Sequence, residues 1–372
     1  MRIVELETFI LRRPDVIEAG DSSQDLFLVE LRTDDGLTGL GEADSSPEVM
    51  RAIVEAPYSH EVCRGLREVV VGRDPADREA VWRDMYAATL FYGRGGAAMQ
   101  AMSAIDLALW DLLGKAAAQP VHRLLGGPAL DRLRAYSSLL MPHDPAALAG
   151  LLGEQRALGF SAVKLGWGGL GRSVAADERL VAAARDAAGP EMDVMIDMGS
   201  HGWQRDFAAV EAFAAMLVRY GIFWLEEPFH PDDYASYARL RVPGLRIATG
   251  EEECAEWGFE TLLEGGGIDV IQPDPARAGG LTRCRRIAEL AADHGVALAP
   301  HAWSSPVVRA AAVHLSFASP NALIQEYSRH PTPLSATIRS TIEARHGWLD
   351  PPAEPGLGVS LDREAAARYR VG

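Results

Sequence analysis

Lysine is nearly absent from this chain of 372 residues, which carries its positive charge on arginine. Lysine and arginine total 36, yet lysine occurs only at Lys115 and Lys164. Lys164 lies in the middle of a short apolar run, "GFSAVKLGWGG". An ammonium group at such a position, in a chain that otherwise uses guanidinium groups, indicates a specific role for it.

A long hydrophobic run is also missing. The chain has no stretch of about 18 apolar residues, and its start, "MRIVELETFILRR", lacks the apolar core and the cleavage site of a signal peptide. We therefore expect a cytoplasmic protein with no membrane partner. The formal net charge of -16 argues against a nucleic-acid partner, which needs a basic face. An anionic substrate would need a local positive centre, such as a metal ion.

Cysteine is scarce and scattered. Cys63, Cys254 and Cys284 show neither the spacing of a zinc site nor the even count of a disulfide framework. We expect all three to be buried free thiols.

The first hundred or so residues indicate an α+β unit. "FLVELRTDDGLTGLGEAD" alternates in polarity across an Asp35-Gly36 turn, which predicts a β-hairpin. Farther along, Met102, Ile105, Leu109 and Leu112 form one helical stripe.

From about Leu133 the chain alternates between short apolar runs and helical stretches. Strands that alternate with helices predict parallel βαβ units, and eight of them favour a closed barrel over the alternative, a doubly wound open sheet. The eight runs are "LRAYSSLL", "SAVKLG", "MDVMID", "IFWLEE", "LRIATGE", "IDVIQPD", "VALAPH" and "ALIQEY".

Six of these runs end in an ionisable side chain. Successive members lie roughly 23 to 29 residues apart, about one strand, one helix and two loops. Alone, such a residue is most often a helix cap or a solvated loop residue. In a barrel, however, all six reach the carboxyl-end rim, where active sites are built. They are Asp197, Glu226, Glu251, Asp274, His301 and Glu326.

The first three members of this set predict a metal site. The carboxylates of Asp197, Glu226 and Glu251 would repel one another at a barrel mouth unless a cation neutralised them. Oxygen-only ligation with positions left for water and substrate favours Mg²⁺ over Zn²⁺.

Asp274 and His301 predict a base. They end neighbouring strands, and an aspartate bonded to one ring nitrogen fixes the tautomer and raises the basicity of the other nitrogen. Lys164 lies on the second run, where its ammonium can face the metal's anionic ligands or a substrate oxygen, although snorkelling from a strand end is an alternative. For Lys115 we expect a helix C-terminal position.

Together these residues resemble the mandelate racemase branch of the enolase superfamily. The resemblance spans nearly the whole chain and rests on "SAIDLALWDLLGKAAAQPVHRLLGG", "WLEEP", "GE", "QPDPARAGGLT", "PHAWSS" and "PPAEPGLGVSLD". It implies a modified TIM barrel of the (β/α)₇β type over 126–335, an α+β capping domain over 1–125, and a C-terminal segment, 336–372, that completes the capping domain. Capping loops around Val16 to Asp25 and Ser45 to Tyr58 would close over the barrel.

The resemblance also implies roles. Asp197, Glu226 and Glu251 would bind Mg²⁺, Asp274 and His301 would form the base dyad, and Glu326 would hydrogen-bond a substrate carboxylate oxygen. The reaction would begin with abstraction of the proton alpha to a carboxylate, giving an enediolate stabilised by the metal, Lys164 and Glu326.

One position departs from the family's pattern. Members with lysine bases carry K-x-K on the second strand, and here Gly166 takes the place of the second lysine. One evident base remains, His301, which suits elimination better than racemisation. We therefore expect an acid-sugar dehydratase that forms a 2-keto-3-deoxy sugar acid, unless a capping-loop residue or His201 supplies a second proton carrier.

Several alternatives stay open. Within the family they are an epimerase and a lactone cycloisomerase; outside it they are a Schiff-base aldolase that uses Lys164 and a non-catalytic acid-binding barrel. Substrate choice would depend on the capping loops and on rim residues such as Trp167, His230 and Trp303. The expected partners are a small-molecule sugar acid and further copies of the chain, as a homo-oligomer.

Overall fold

The computed structural model describes residues 1–15, 24–199, 206–329 and 332–371. Its first part is an antiparallel sheet in the order β1-β2-β3. The predicted hairpin is confirmed: β2 and β3 pair antiparallel, and Gly36 takes the left-handed conformation, φ 90°, that the turn requires. The three strands are β1 (Ile3–Arg12), β2 (Asp25–Thr33) and β3 (Thr38–Ala43).

Helices cover this sheet, and the longest of them packs closely on β3. The predicted stripe of that helix is fully buried. A Cβ at Gly39 would lie 2.2 Å from the carbonyl oxygen of Ala108, and one at Gly41 would lie 1.8 Å from that of Ala104, so only glycine permits this approach. The helices are α1 (Pro47–Glu55), α2 (Leu66–Val70), α3 (Arg78–Ala88), α4 (Ala97–Ala116) and α5 (Val121–Leu124), with a 3₁₀ turn at Pro75–Asp77.

The second part is a parallel barrel, and all eight predicted runs contain its strands. Neighbours in the sheet follow the order β10-β9-β8-β7-β6-β5-β4-β11. Leu298 on β10 pairs with Ala322, just before β11, so the ring closes and the open-sheet alternative is wrong. The strands are β4 (Leu133–Leu140), β5 (Ala162–Gly166), β6 (Asp193–Asp197), β7 (Trp224–Glu226), β8 (Arg246–Thr249), β9 (Val270–Ile271), β10 (Ala297–Leu298) and β11 (Gln325–Ser328).

One helix lies between each pair of consecutive barrel strands, which confirms the (β/α)₇β pattern over the described residues. The helices are α6 (Ala147–Ala157), α7 (Val174–Ala188), α8 (Phe207–Arg219), α9 (Tyr234–Arg239), α10 (Glu256–Gly265), α11 (Gly280–Asp293) and α12 (Pro306–Ala318).

Inside the barrel, a buried apolar layer lies beneath the charged side chains of the carboxyl-end rim; we call this layer the barrel floor. Two large rings, Tyr136 and Trp224, meet edge to face at 5.4 Å, and alanines fill several of the other positions. This alternation of large and small side chains is how a narrow barrel packs without a pore. The layer consists of Tyr136, Ala162, Met195, Trp224, Ala248, Val270, Ala299 and Ile324.

The end of the chain returns to the first sheet, as expected for a segment that completes the capping domain. The amide of Val371 donates to Ile10, 2.9 Å, and that of Arg12 donates to Tyr369, 2.8 Å. Lys115 lies in the last turn of α4, as predicted, and its ammonium binds Asp111 at 2.7 Å. The elements here are a 3₁₀ turn at Ser335–Thr337, β12 (Ile338–Ser340), β13 (Trp348–Leu349), β14 (Val359–Leu361) and α13 (Arg363–Ala367).

Two compositional expectations can be compared with the structure. All three cysteines are free thiols, but only Cys284 is fully buried; Cys63 and Cys254 are partly exposed because they lie in loops between elements. Within the described ranges, no helix is both long and apolar enough to cross a membrane.

A buried carboxylate joins the capping domain to the barrel. Asp106 on α4 accepts hydrogen bonds from the Thr282 amide, 3.0 Å, and the Thr282 hydroxyl, 2.5 Å. A Cβ on Gly280 would lie 2.2 Å from an Asp106 oxygen, which explains why two glycines precede this threonine. The "GGLT" segment is therefore a docking surface for α4.

Asp106 gives this contact a pH dependence. Burial raises the pKa of Asp106 from its ordinary 3.8 to about 7, although the hydrogen bonds from Thr282 oppose the rise. Because the folded-state pKa is the higher one, the stability that this group contributes is full below about pH 4 and is lost as the pH rises toward 7. Between about pH 4 and pH 7, the free energy of unfolding measured in urea should fall less for Asp106→Asn than for the wild type. A constant difference in unfolding free energy between the two proteins would contradict this.

Candidate active site

The seven side chains singled out in the sequence meet at the carboxyl end of the barrel. Lys164 lies in β5, Asp197 and Glu226 end β6 and β7, and Glu326 lies in β11. The other three follow β8, β9 and β10 within three residues. Each of the seven is at most 5% exposed, so the group is a buried cluster of charge.

Three of these carboxylates form a compact group. Ligand oxygens of Asp197, Glu226 and Glu251 all lie within 4.8 Å of one another. One oxygen of Asp197 accepts from the Gly199 amide, 2.9 Å, and one of Glu226 accepts from the Trp224 indole, 2.9 Å. The second oxygen of Glu226 accepts from Lys164, and the second oxygen of Asp197 lies 3.5 Å from the same ammonium.

The donor set of this group fits a hard divalent cation. Burial raises the pKa of Glu251 well above its ordinary value, and burial together with Glu226 raises the pKa of Asp197 to about 7. Among the residues that the structure describes, none donates a hydrogen bond to the buried Oε2 of Glu251. A cation bound by three oxygens would relieve the repulsion and supply the missing partner.

Lys164 connects the carboxylate group with the last barrel strand. Its Nζ forms an ion pair with Glu226, lies 3.0 Å from Glu326 Oε1 and lies 3.5 Å from Asp197 Oδ2. Burial lowers the pKa of Lys164, but these carboxylates outweigh burial and hold it well above its ordinary value. Lys164 is therefore an ammonium ion, and it does not snorkel toward solvent.

Asp274 and His301 form a hydrogen-bonded pair. His301 Nδ1 lies 2.5 Å from Asp274 Oδ2, and Asp274 Oδ1 accepts from the Ala276 amide at 2.6 Å. With Nδ1 donating to Asp274, Nε2 faces Glu251 Oε2 at 3.6 Å. Burial lowers the pKa of His301, but Glu251, Glu326 and Asp274 together raise it to about 10. With the carboxylates unneutralised, Nε2 therefore holds a proton strongly; a cation bound among them would lower this pKa, which a base needs in order to start unprotonated.

Glu326 lies between the base and the lysine. Its Oε2 accepts from the Ala302 amide at 2.6 Å and lies 3.9 Å from His301 Nε2. Burial raises the pKa of Glu326, but Lys164 and His301 outweigh burial and lower it to about 2. An ionised Glu326 accepts hydrogen bonds and holds Lys164 in place; it would need a proton to donate to a substrate carboxylate.

A cavity of about 90 Å³ opens over these groups. Trp167 and Trp303 form part of its wall, whereas His230 is exposed and is not among its lining residues. At Gly166 a Cβ would lie 2.6 Å from the Cβ of Asp197, so a side chain there would displace this carboxylate. A lysine at the place of the family's second lysine would thus require Asp197 to move.

Two residues of the rim escaped the sequence analysis. Glu227, the second glutamate of "WLEEP", accepts from the Gly250 amide at 2.7 Å and from Tyr237 at 3.0 Å, and thereby fixes the residue before Glu251. Arg277 lines the cavity and pairs with Asp44 of the capping domain at 3.1 Å. The repeated glutamate in "EEP" was the one available signal; nothing local marked Arg277.

Two expectations concern residues beyond those described. Most of the proposed capping loop, residues 16–23, and His201 lie outside the described ranges. The second proposed loop contains α1, whose Pro47, Met50 and Val54 are buried.

Two family models match the chain. The mandelate racemase / muconate lactonizing enzyme N-terminal domain matches residues 6–126, and the enolase C-terminal domain-like model matches residues 147–366. The second match alone covers more than half of the chain and contains all seven residues of the cluster.

Relatives and solved structures agree with this assignment. The chain is 34% identical to D-galactarolactone cycloisomerase of Agrobacterium fabrum, over 92% of this chain and 91% of the relative. It is 35% identical to D-galactonate dehydratase of Ralstonia pickettii, over 90% and 88% of the two chains. The crystal structure of a racemase from Streptomyces coelicolor with bound magnesium superposes with a TM-score of 0.86 at 28% identity, covering 99% of this chain and all of that one. With its closed barrel, its capping domain and both domain matches, this chain belongs to the mandelate racemase/muconate lactonizing enzyme branch of the enolase superfamily.

Proposed function

We propose that this protein is a Mg²⁺-dependent acid-sugar dehydratase, a lyase that converts a sugar acid into its 2-keto-3-deoxy derivative. The observation that carries this proposal is the single base: His301 lines the cavity, whereas Gly166, at the place of the family's second lysine, has no side chain that could move a proton. The galactonate and rhamnonate dehydratases among its relatives, at 33–36% identity, support the same reaction class.

Asp197, Glu226 and Glu251 would hold the Mg²⁺, which would supply positive charge for the substrate's carboxylate. Lys164 presents a second positive charge to the same region, where Glu326 orients it. Because both charges are fixed before the reaction, negative charge that develops on a carboxylate oxygen meets partners that need no reorganisation.

His301 performs both proton transfers in this scheme. Nε2 removes the proton alpha to the carboxylate, and the C–H electron pair moves toward the carboxylate to give an enediolate beside Lys164. The pair then returns to form the C2–C3 double bond as the bond from C3 to its hydroxyl group breaks. The imidazolium gives its proton to the departing oxygen, so water leaves, and the enol product tautomerises to the 2-keto acid. Asp274 stabilises the imidazolium between the two transfers.

A cycloisomerase is the second candidate. It would share the abstraction of the alpha proton, and a D-galactarolactone cycloisomerase is 34% identical to this chain. An epimerase suits the site less well because it reprotonates from the opposite face, where Gly166 lies. A Schiff-base aldolase is disfavoured because Lys164 is held as an ammonium ion by three carboxylates, whereas that chemistry needs a neutral amine.

His301→Asn tests the base. The substitution removes the proton acceptor, and we expect the rate of 2-keto acid formation to fall by about 10²- to 10⁴-fold. Exchange of the substrate's alpha proton in D₂O, followed by NMR, should stop as well, while stabilisation by Mg²⁺ persists. Deuterium in recovered epimer, or undiminished exchange in the variant, would show that another base operates.

The two lysines form a matched pair for a second test. Lys164→Met removes the cation beside the developing charge, so kcat/KM should fall by about 10²- to 10³-fold. Lys115→Met removes an ion pair in the capping domain and should lower Tm while kcat/KM stays within about twofold. Equal losses of kcat/KM in the two variants would contradict a catalytic role for Lys164.

Thermal unfolding tests the metal site without any substrate. Mg²⁺ at 100 times its Kd should stabilise the protein by about 2.7 kcal/mol, because the ion binds only the folded group of carboxylates. Glu251→Gln should weaken this effect, whereas Glu48→Gln, on the exposed side of α1, should leave it unchanged. Equal stabilisation of the two variants would place the ion elsewhere, and a larger effect of Zn²⁺ than of Mg²⁺ would contradict the choice of metal.

A further inference from the structure

We propose that the end of β3 in the capping domain positions the base dyad, with Glu42 holding the loop that follows His301 and Asp44 holding the loop that follows Asp274. The proposal rests on the proposed function in one respect, since it takes His301 as the base. It assigns positioning roles to two acidic residues that belong neither to the proposed metal group nor to the cavity lining, although the Asp44 carboxylate lies within 4.8 Å of the dyad side chains Asp274 and His301.

Glu42 is fully buried and is hydrogen-bonded to the barrel through both of its oxygens. Its Oε1 accepts from the Ser304 hydroxyl at 2.6 Å, and its Oε2 accepts from the Ser305 hydroxyl and from the Val308 amide at 3.3 Å. Burial raises the pKa of Glu42 to about 7, while the two serines lower it. All three donors lie within seven residues of His301.

The loop that carries His301 has no regular structure of its own between β10 and α12. It is instead held from two sides by carboxylates: Glu326 accepts from the Ala302 amide, and Glu42 binds Ser304 and Ser305. Ser305 is also the N-cap of α12, donating to Glu42 while it accepts from the Val307 amide at 3.0 Å. His301 thus lies immediately before a segment whose backbone is fixed at both ends.

Asp44 makes the matching contact with the other loop. Two residues apart along an extended chain, Glu42 and Asp44 can project to the same side. Asp44 Oδ2 lies 3.1 Å from Arg277 Nη2, and the Asp44 carbonyl accepts from Arg277 Nε at 3.3 Å. The Arg277 amide in turn donates to the Asp274 carbonyl at 3.0 Å. One strand end therefore holds the loops of both dyad partners.

Packing alone gives little reason for a carboxylate at Glu42. Burying a charge costs several kcal/mol, and a well-packed apolar side chain of similar size is often as stabilising or more so. A carboxylate that accepts three hydrogen bonds does, however, fix the orientation of the loop that donates them, whereas an apolar contact does not. The base needs such precision, because a shift of about 1 Å in a reacting group can cost a hundredfold in rate.

Glu42→Ala and Glu42→Gln test the proposal in the full-length enzyme. Glu42→Ala should lower kcat by about tenfold or more while KM and the affinity for Mg²⁺ stay within about twofold, since only the base is displaced. Glu42→Gln should recover most of the activity, because its amide can bond both serine hydroxyls. Ser304→Ala removes one donor from the barrel side, and its effect should be non-additive with that of Glu42→Ala.

Asp106→Asn is the matched control, because Asp106 is also a buried carboxylate between the capping domain and the barrel. It should lower stability without changing kcat beyond about twofold. If Asp106→Asn lowers kcat as much as Glu42→Ala at comparable loss of Tm, the capping domain acts only through overall stability, and the proposal fails.

A substrate-free measurement separates this proposal from the proposed reaction. The proton on His301 Nδ1, shared with Asp274, should give a low-field NMR signal that is identified by its absence in His301→Asn. Glu42→Ala should shift or broaden this signal, and Asp106→Asn should not. The shift would support positioning even if no sugar acid were dehydrated, whereas an unchanged signal in Glu42→Ala would overturn it whatever the activity.

Discussion

Repulsion among buried carboxylates is the constraint on which this structure depends. Asp197, Glu226, Glu251 and Glu326 are all at most 4% exposed at one end of the barrel. Like charges in such a place resist ionisation unless positive charge lies among them. Lys164 supplies part of that charge by contacting three of the four. The negative charge that Lys164 does not neutralise would favour binding of a divalent cation. Folding of the rim and binding of a metal are therefore governed by the same electrostatic repulsion.

The buried layer at the barrel floor helps to fix the positions of the carboxylates. Trp224 packs against Tyr136 in the buried layer and also donates its indole N–H to Glu226, so the same side chain fills the barrel and orients a carboxylate. Close packing keeps such a ring in one rotamer, which in turn keeps the oxygen of Glu226 in place. Apolar packing beneath the rim is therefore part of the site's geometry, although no atom of the floor takes part in the chemistry.

The barrel was predictable because its strands are short, apolar and buried on both faces, and because each ends at the same rim. Periodic spacing alone was enough to bring Asp197, Glu226 and Glu251 together. Glu42 and Asp44 lacked any such signal: Glu42 lies in an ordinary hairpin strand and Asp44 directly follows it, and the serines that Glu42 binds are 262 and 263 residues away. Contacts between the capping domain and the barrel depend on how the two folded domains pack together. A local sequence pattern does not reveal this packing. The prediction that all three cysteines are buried was wrong for Cys63 and Cys254, because these two lie in loops.

The absence of a side chain at Gly166 is linked to the position of Asp197. A side chain at this position would collide with Asp197, so a lysine there requires that carboxylate to lie differently. Trp167, the next residue, adopts φ 56° and lies so close to Gly199 that a Cβ there would be 2.5 Å from its indole. This left-handed backbone is unfavourable for a bulky residue and persists only where its surroundings compensate. The rim therefore presents the aromatic ring of Trp167 directly after Gly166. Under the proposed function, protons would enter and leave from the side of His301, and the intermediate would lose a neighbouring group rather than invert.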